Sequence, residues 1–339
     1  KLRIQFQDIT MFDLFYPFDW LATQIVTKLL GLPLKSHLGS SLHFFFYDVP
    51  KVLTLLITIS FIVGTIQSFI QPEKVRDILG GKRTIFGNIL AALVGIITPF
   101  CSCSAVPLFI GFLEAGVPLG VTFSYLISAP MVNEVAVILL WGLFGLKVTL
   151  MYIGFGVILA IAAGFIIGLM KLENWVEPFV WELQKNRQNS LDDPNNFTMK
   201  MTWKERIEEG QYSATEIFKS VWPYVVGGIA IGASIHGYLP GDFITQVAGK
   251  DNFFAVPIAT AIGVPLYANI AGVLPITEAL VNKGMPLGTV LSFTMAVTAL
   301  SLPEMVILRK VLRPQLLITF VTLVTLGIIS VGYLFNAIL

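Results

Sequence analysis

Thr98-Pro99-Phe100-Cys101-Ser102-Cys103-Ser104-Ala105-Val106-Pro107 lies inside a run from Thr84 to Leu113 that carries no charged residue. A straight helix of that length would be about 45 Å long at about 1.5 Å per residue. That is too long for a hydrocarbon core of about 30 Å, while two full crossings would need about 40 apolar residues. Pro99 and Pro107 each remove a backbone donor and restrict the residue before them. The run is therefore expected to form two half-helices joined by a turn near mid-membrane. Irregular backbone survives at that depth only inside protein or beside a water-filled cavity. The chain's two cysteines sit on this turn.

The rest of the chain agrees with a membrane setting. Of 339 residues, 55% are hydrophobic and 13% charged, and the mean hydropathy is +0.79. A soluble domain carries about 25% charged residues. The fold class is all-α integral membrane, with the lipid bilayer as its partner. A net charge of +1 offers no field for nucleic acid. Two cysteines one residue apart make no disulfide framework. The chain opens on Lys1 with no secretory-signal pattern, so the native start is expected upstream.

Taken in order, residues 1–50 read as an interfacial segment and a short first span, Trp20–Leu34, followed by a polar loop, Lys35–Lys51. Val52–Ile70 is a clear span, and Glu73–Arg83 a loop bearing Lys74, Arg76, Lys82 and Arg83. After the broken run come a span from Pro118 to about Leu140, with Asn133 and Glu134 in its interior, and a span over Val148–Met170. Residues 172–215 form a charged linker, with Trp175 and Trp181 marking the interface. From 216 the pattern restarts with span Ser220–Tyr238, broken run Asn252–Thr277, span Pro286–Leu308 and last span Leu316–Phe335.

That restart is an internal repeat at an offset of 168 residues. Gly64 matches Gly232, Gly95 matches Gly263, Pro107 matches Pro275, and Gly116-Val117-Pro118-Leu119-Gly120 matches Gly284-Met285-Pro286-Leu287-Gly288. Past Ser124 and Ser292 the offset is expected to drift. Membrane repeats 51–171 and 216–339 each count an odd number of crossings, so they should be inverted relative to each other. Lys74–Arg83, Arg309–Arg313 and the linker then share one side, which the positive-inside tendency makes cytoplasmic. Inverted repeats with paired discontinuous helices point to a secondary transporter with its site at the midplane.

Cys101 and Cys103 are the sharpest chemical signal. Free cysteine often packs as a small hydrophobe. Two thiolates this close, framing Ser102 beside Pro99, can instead clasp a soft centre such as As(III) or Cu(I), or exchange with a thiol or disulfide. A structural zinc site wants four ligands, and no histidine stands near. Glu134, beside Asn133, is the candidate coupling acid, because carboxylates inside a membrane are costly and line ion pathways. Glu304 is its rough counterpart, with a structural pairing to Arg309 or Lys310 as the plainer alternative. The second broken run offers Tyr267 and Asn269 where the first has cysteines.

Residues 98–120 resemble the signature of a predicted-permease family that contains YraQ-like proteins and organoarsenical efflux permeases. So do Ala129-Pro130-Met131-Val132-Asn133-Glu134-Val135, Gly263-Val264-Pro265-Leu266-Tyr267 and Leu300-Ser301-Leu302-Pro303-Glu304. The resemblance implies a polytopic permease of the cell (inner) membrane. In the efflux branch the substrates are trivalent organoarsenicals and the cysteine motif is implicated.

The reading is a permease, not an enzyme, moving a small thiophilic or sulfur-containing solute. Its substrate-binding candidates are Pro99, Cys101, Ser102, Cys103, Asn133, Glu134, Tyr267, Asn269 and Glu304. No cofactor or resident metal is expected, and a homo-oligomer is compatible with this reading. No phosphate-loop motif is present, so energy would come from a gradient or a separate partner. A membrane thiol oxidoreductase and a channel are the alternatives. The first would need a second cysteine pair or a redox cofactor.

Overall fold

The structure, a computed structural model, describes residues 16–34, 36–67, 79, 84–97, 102–178, 180–182, 203–238, 252–266, 273, 276–278, 280–281 and 284–339. Its helices are α1 (Tyr16–Gln24), α2 (His37–Gln67), α3 (Thr84–Ile97), α4 (Ser102–Glu114), α5 (Leu119–Met131) and α6 (Glu134–Leu169). They are followed by α7 (Trp203–Tyr238), α8 (Ala255–Gly263), α9 (Leu287–Ala299), α10 (Leu302–Leu308) and α11 (Pro314–Ile338). Strand pairing among the described residues is limited to an isolated bridge between Val176 and Leu312. Four helical stretches are long and apolar enough to cross a bilayer: His37–Ile62, Ala136–Leu169, Leu287–Val306 and Pro314–Ile338. This is an all-α membrane protein.

Two expectations near the N-terminus change. The first span is a short helix, α1 plus a π-helical turn over Ile25–Leu29, well under the roughly 20 residues a crossing needs. Residues expected as the loop Lys35–Lys51 are instead helical from His37, and α2 runs on through Pro50. The polar residues read as a loop line up at four-residue spacing on one helical face. His43 stacks on Tyr47 with ring centroids 6.4 Å apart, and Lys51 Nζ donates to the Tyr47 hydroxyl at 3.0 Å. α1 covers this face through Asp19, 3.5 Å from His43. Likewise α7 begins at Trp203, well before the expected span start at Ser220, so the end of the linker feeds into it as helix.

At the centre lies α5, every residue of which is buried. Lipid tails give helices no hydrophobic reason to associate, so close approach through small residues supplies the packing. At Gly120 an added Cβ would stand 2.5 Å from the Gly164 carbonyl of α6. Its counterpart Gly288 on α9 faces Gly332 and Asn336 of α11 in the same way, with Asn336 Oδ1 2.5 Å from such a Cβ.

The repeat spacing persists through the elements. α5 and α9 start and end at corresponding positions, as do the starts of α6 and α10. Gly145, at φ +81° and ψ 171°, divides α6. The part beyond it corresponds to α11, which starts at Pro314. The left-handed Gly116 (φ 81°) and Gly284 (φ 88°) also correspond. The drift expected past Ser124 and Ser292 is not seen in the elements.

The expected spans Pro118–Leu140 and Pro286–Leu308 are each broken. The first breaks at Val132 (φ −123°, ψ 86°), so that Asn133 and Glu134 sit at a helix start rather than in an interior. The second breaks at Leu300 (φ −136°, ψ 40°). Prolines account for both. Pro130 weakens the last turn of α5, and Pro303 lacks the N–H that would carry α9 onward.

Corresponding helices meet running in opposite directions. Gly210, near the start of α7, packs on Phe61 and Thr65 near the end of α2. Along α6 and α11, Gly327 packs on Leu159 and Phe335 on Phe155 at 5.3 Å. Arg313 N, just before α11, donates to Trp175 O, just past α6, at 2.8 Å.

Candidate functional site

On either side of the cysteine stretch the described backbone is helical: α3 has 14 residues and α4 has 13, each about 20 Å long at about 1.5 Å per residue, and the expected turn over 98–101 lies outside the described residues. Pro99 and Cys101 lie outside the described residues. Ser102 and Cys103 open α4, and their side chains are outside the description. In the second repeat α8 ends at Gly263 and a turn follows, Leu266 N donating to Gly263 O at 3.0 Å. Tyr267 and Asn269 lie outside the described residues.

Both half-helices rest on α5. Asn88 of α3 accepts from Ser124 Oγ at 2.8 Å, and Ser128 Oγ donates to Ala92 O at 2.9 Å. These bonds satisfy polar groups that would otherwise be buried without partners. On α4, Phe109 meets Phe123 edge-on at 5.2 Å and Phe112 meets Tyr125 at 5.1 Å. The helix that begins at the cysteine motif is thus fixed along its length by ring contacts.

α4 also packs on α10, the helix that carries Glu304. Glu304 is 2% exposed. A cysteine-bearing element of the first repeat and an acid-bearing element of the second are therefore brought together. The alternative pairing of Glu304 with Arg309 is not what the guanidinium does. Arg309 turns outward to Glu177 at 3.2 Å and to Leu312 O at 3.3 Å.

Asn133 has a structural task. Its Oδ1 accepts from Ala136 N at 2.8 Å, capping α6. Glu134 is the first residue of that helix, where a carboxylate favours the positive end of the dipole; its side chain lies outside the description.

Sequence reasoning passed over three hydroxyls near the second break. Tyr152 is fully buried and lies beside Thr298 across α6 and α9, without hydrogen-bonding geometry. Thr298 donates within its own helix, to Thr294 O at 3.0 Å. Ser301, 3% exposed, has no hydrogen-bond partner among the described residues. A serine between apolar residues carries little signal in a sequence; its place just past the end of α9 is what singles it out. Among the described residues no three His, Cys, Asp or Glu side chains gather to hold a metal ion.

The chain has relatives across most of its length. A family model described as predicted permease matches residues 37–337. UPF0718 protein MJ0584 of Methanocaldococcus jannaschii is 22% identical, over 87% of this chain and 94% of its own. UPF0718 protein YcgR of Bacillus subtilis is 24% identical over 56% of this chain and 60% of its own. A Streptococcus mutans protein, assigned provisionally as a two-component membrane permease complex subunit, is 24% identical over 62% of this chain and 69% of its own. No solved structure gives a significant match. With a family model covering all but its first 36 residues and its last two, the chain belongs to the predicted-permease family of membrane proteins.

Proposed function

We propose that this permease is a secondary transporter for a small thiophilic or sulfur-containing solute, trivalent organoarsenicals being the substrate class to test first. The solute would be engaged by Cys101 and Cys103 on the turn between α3 and α4. Pro99 and Ser102 would shape that turn, and Asn133, Glu134, Tyr267, Asn269 and Glu304 would line the rest of a central site. The observation that carries this reading is the packing of α4, which opens at the cysteine motif, against α10 with its buried Glu304. Elements from opposite halves meet there, as they do where discontinuous helices form a transport site. The name of the Streptococcus mutans relative supports a second subunit or a second copy as partner.

The test is isosteric exchange at the cysteines. A hydroxyl is a poor soft-metal ligand and forms no mixed disulfide. Cys101→Ser and Cys103→Ser should leave expression and melting temperature nearly unchanged while removing transport of thiophilic solutes. Each single change should cost about as much as the double, because groups acting as a unit are not additive. In cells sensitive to trivalent methylarsenite the unaltered chain should confer resistance and the serine variants should not. Full resistance in the double variant would return the pair to packing.

A further inference from the structure

α2 and α7 are counterparts at the repeat offset and pack on each other, with Gly210 of α7 against Phe61 and Thr65 of α2. Counted in opposite directions from that contact, Asp48 falls level with Val225. Ser60 and Ser41 fall within a residue of Ala214 and Ala233. All six residues are buried, so one antiparallel register holds along the pair.

Both helices carry the same charge pattern: Asp48-x-x-Lys51 recurs as Glu216-x-x-Lys219, 168 residues on. In this register Asp48, Lys51, Lys219 and Glu216 stand at successive levels three residues apart, each step about 4.5 Å at about 1.5 Å per residue. Lys51 and Lys219 lie within two residues of the middle of their helices. Asp48 and Lys51 also flank the middle of the crossing stretch His37–Ile62. The ladder therefore sits deep in the bilayer, with an acid at each end and the lysines between. Asp48, on the face packed against α7, is 7% exposed. Carboxylates at such depth are costly and mark ion or proton pathways.

The lysines decide which ion. A metal cation at Asp48 would be repelled by Lys51 one turn away, whereas a proton joins the carboxylate and neutralises it. Lys51 is built to tolerate both states. Its Nζ donates to the Tyr47 hydroxyl at 3.0 Å and stands 4.6 Å from the ring centroid, contacts that favour the ammonium when Asp48 is neutral. When Asp48 is ionised, the two charges balance. Besides the ladder, the elements packed on α2 bring Asp19 and Lys28 from the N-terminal segment, Tyr224 from α7, and Cys103 and Glu114 from α4. Asp19 is engaged with His43, 3.5 Å away. We infer that Asp48 is a proton-binding carboxylate at mid-membrane, poised by Lys51, and that it carries the coupling proton of this transporter. It takes the proton from water on one side and returns it to water on the other, only an O–H bond being made and broken. The coupling role rests on the transporter reading and moves coupling from Glu134 to Asp48; the proton site does not depend on any substrate.

Proton occupancy can be read without a solute. Dicyclohexylcarbodiimide, an apolar reagent, adds to a protonated carboxyl and leaves a stable acylurea. A water-soluble carbodiimide reaches only carboxyls open to water. On the purified full chain in lipid nanodiscs, peptide mass spectrometry should find the apolar adduct on Asp48, rising as pH falls through a single midpoint. The soluble reagent should leave Asp48 unmodified. Lys51→Gln should raise Asp48 labelling about tenfold at pH values above the midpoint, because a neighbouring positive charge favours the ionised acid. Lys51→Arg, which keeps the charge, should leave it unchanged. An Asp48 that the apolar reagent never labels, that both reagents label equally, or that is indifferent to Lys51→Gln would overturn the site. Coupling is read separately, in cells that the unaltered chain protects from trivalent methylarsenite. Asp48→Asn should lose that protection and Asp48→Glu keep it; full protection by Asp48→Asn would overturn the coupling role. If the unaltered chain gives no protection, the substrate reading fails and the labelling alone decides the proton site.

Discussion

Asn133 shows how a residue that looks functional in sequence can also carry a structural task. An amide next to an acid in an apolar stretch suggests a polar pathway, yet its Oδ1 closes the first turn of α6. Removing that cap should cost about 1 kcal/mol, so Asn133→Ala should lower the melting temperature. Asn133→Asp or Asn133→Ser, which keep an acceptor oxygen, should recover most of the loss. A melting temperature unchanged in Asn133→Ala would show that the cap contributes nothing. Ser301 is the converse case: unremarkable in sequence, it becomes notable only because packing buries it without a hydrogen-bond partner among the described residues. Hydroxyls of this kind were not legible because their meaning depends on neighbours distant in sequence.

Among elements, the clearest demand is the close approach at Gly120 and Gly288. A methyl at Gly120 would meet the Gly164 carbonyl at 2.5 Å, and backbone cannot move aside as a side chain can. Gly120→Ala and Gly288→Ala should each destabilise by about 1–3 kcal/mol, the usual cost of overpacking. Gly142→Ala, where a Cβ meets nothing within 4 Å, should not. Thermal melts of the three variants in detergent would check this; equal melting temperatures would mean the helices can separate freely. The same elements show what a sequence discloses. A break in the run Thr84–Leu113 is what length and two prolines demand in sequence, and the turn itself lies outside the described residues. The breaks at Val132 and Leu300 were not legible, since Pro130 and Pro303 lie in runs short enough to be one span. The helix through Lys35–Lys51 was missed because charged and aromatic residues there look like a loop until they are seen sharing one face of α2.

For the whole molecule, sidedness follows from one anchored end. Just past α6, Glu177 N donates to Val311 O at 2.9 Å and Trp175 O accepts from Arg313 N at 2.8 Å. The start of the linker and the Arg309–Arg313 turn therefore lie at the same end. From there α11 runs 25 residues, about 37 Å at about 1.5 Å per residue. That is enough for one crossing, so Leu339 should emerge on the face opposite the linker. The basic turn and the basic loop Lys74–Arg83 favour the cytoplasm for the linker side. The antiparallel meeting of α6 with α11 supports inverted halves, and the contact of Leu159 with Gly327 has a further meaning. These two residues are counterparts at the repeat offset, and a residue touches its own counterpart only close to a two-fold axis. That contact is what a pseudo-two-fold axis in the membrane plane beside Leu159 would produce. Single cysteines at Asn189, Lys82 and Leu339, each in a background lacking Cys101 and Cys103, should separate the faces. An impermeant thiol reagent added outside intact cells should label the Leu339→Cys chain, and label the other two only after the membrane is opened. Labelling of Asn189→Cys but not Leu339→Cys from outside would reverse the orientation while keeping the crossing. Labelling of both from outside would show that α11 does not cross, and the axis would go with it.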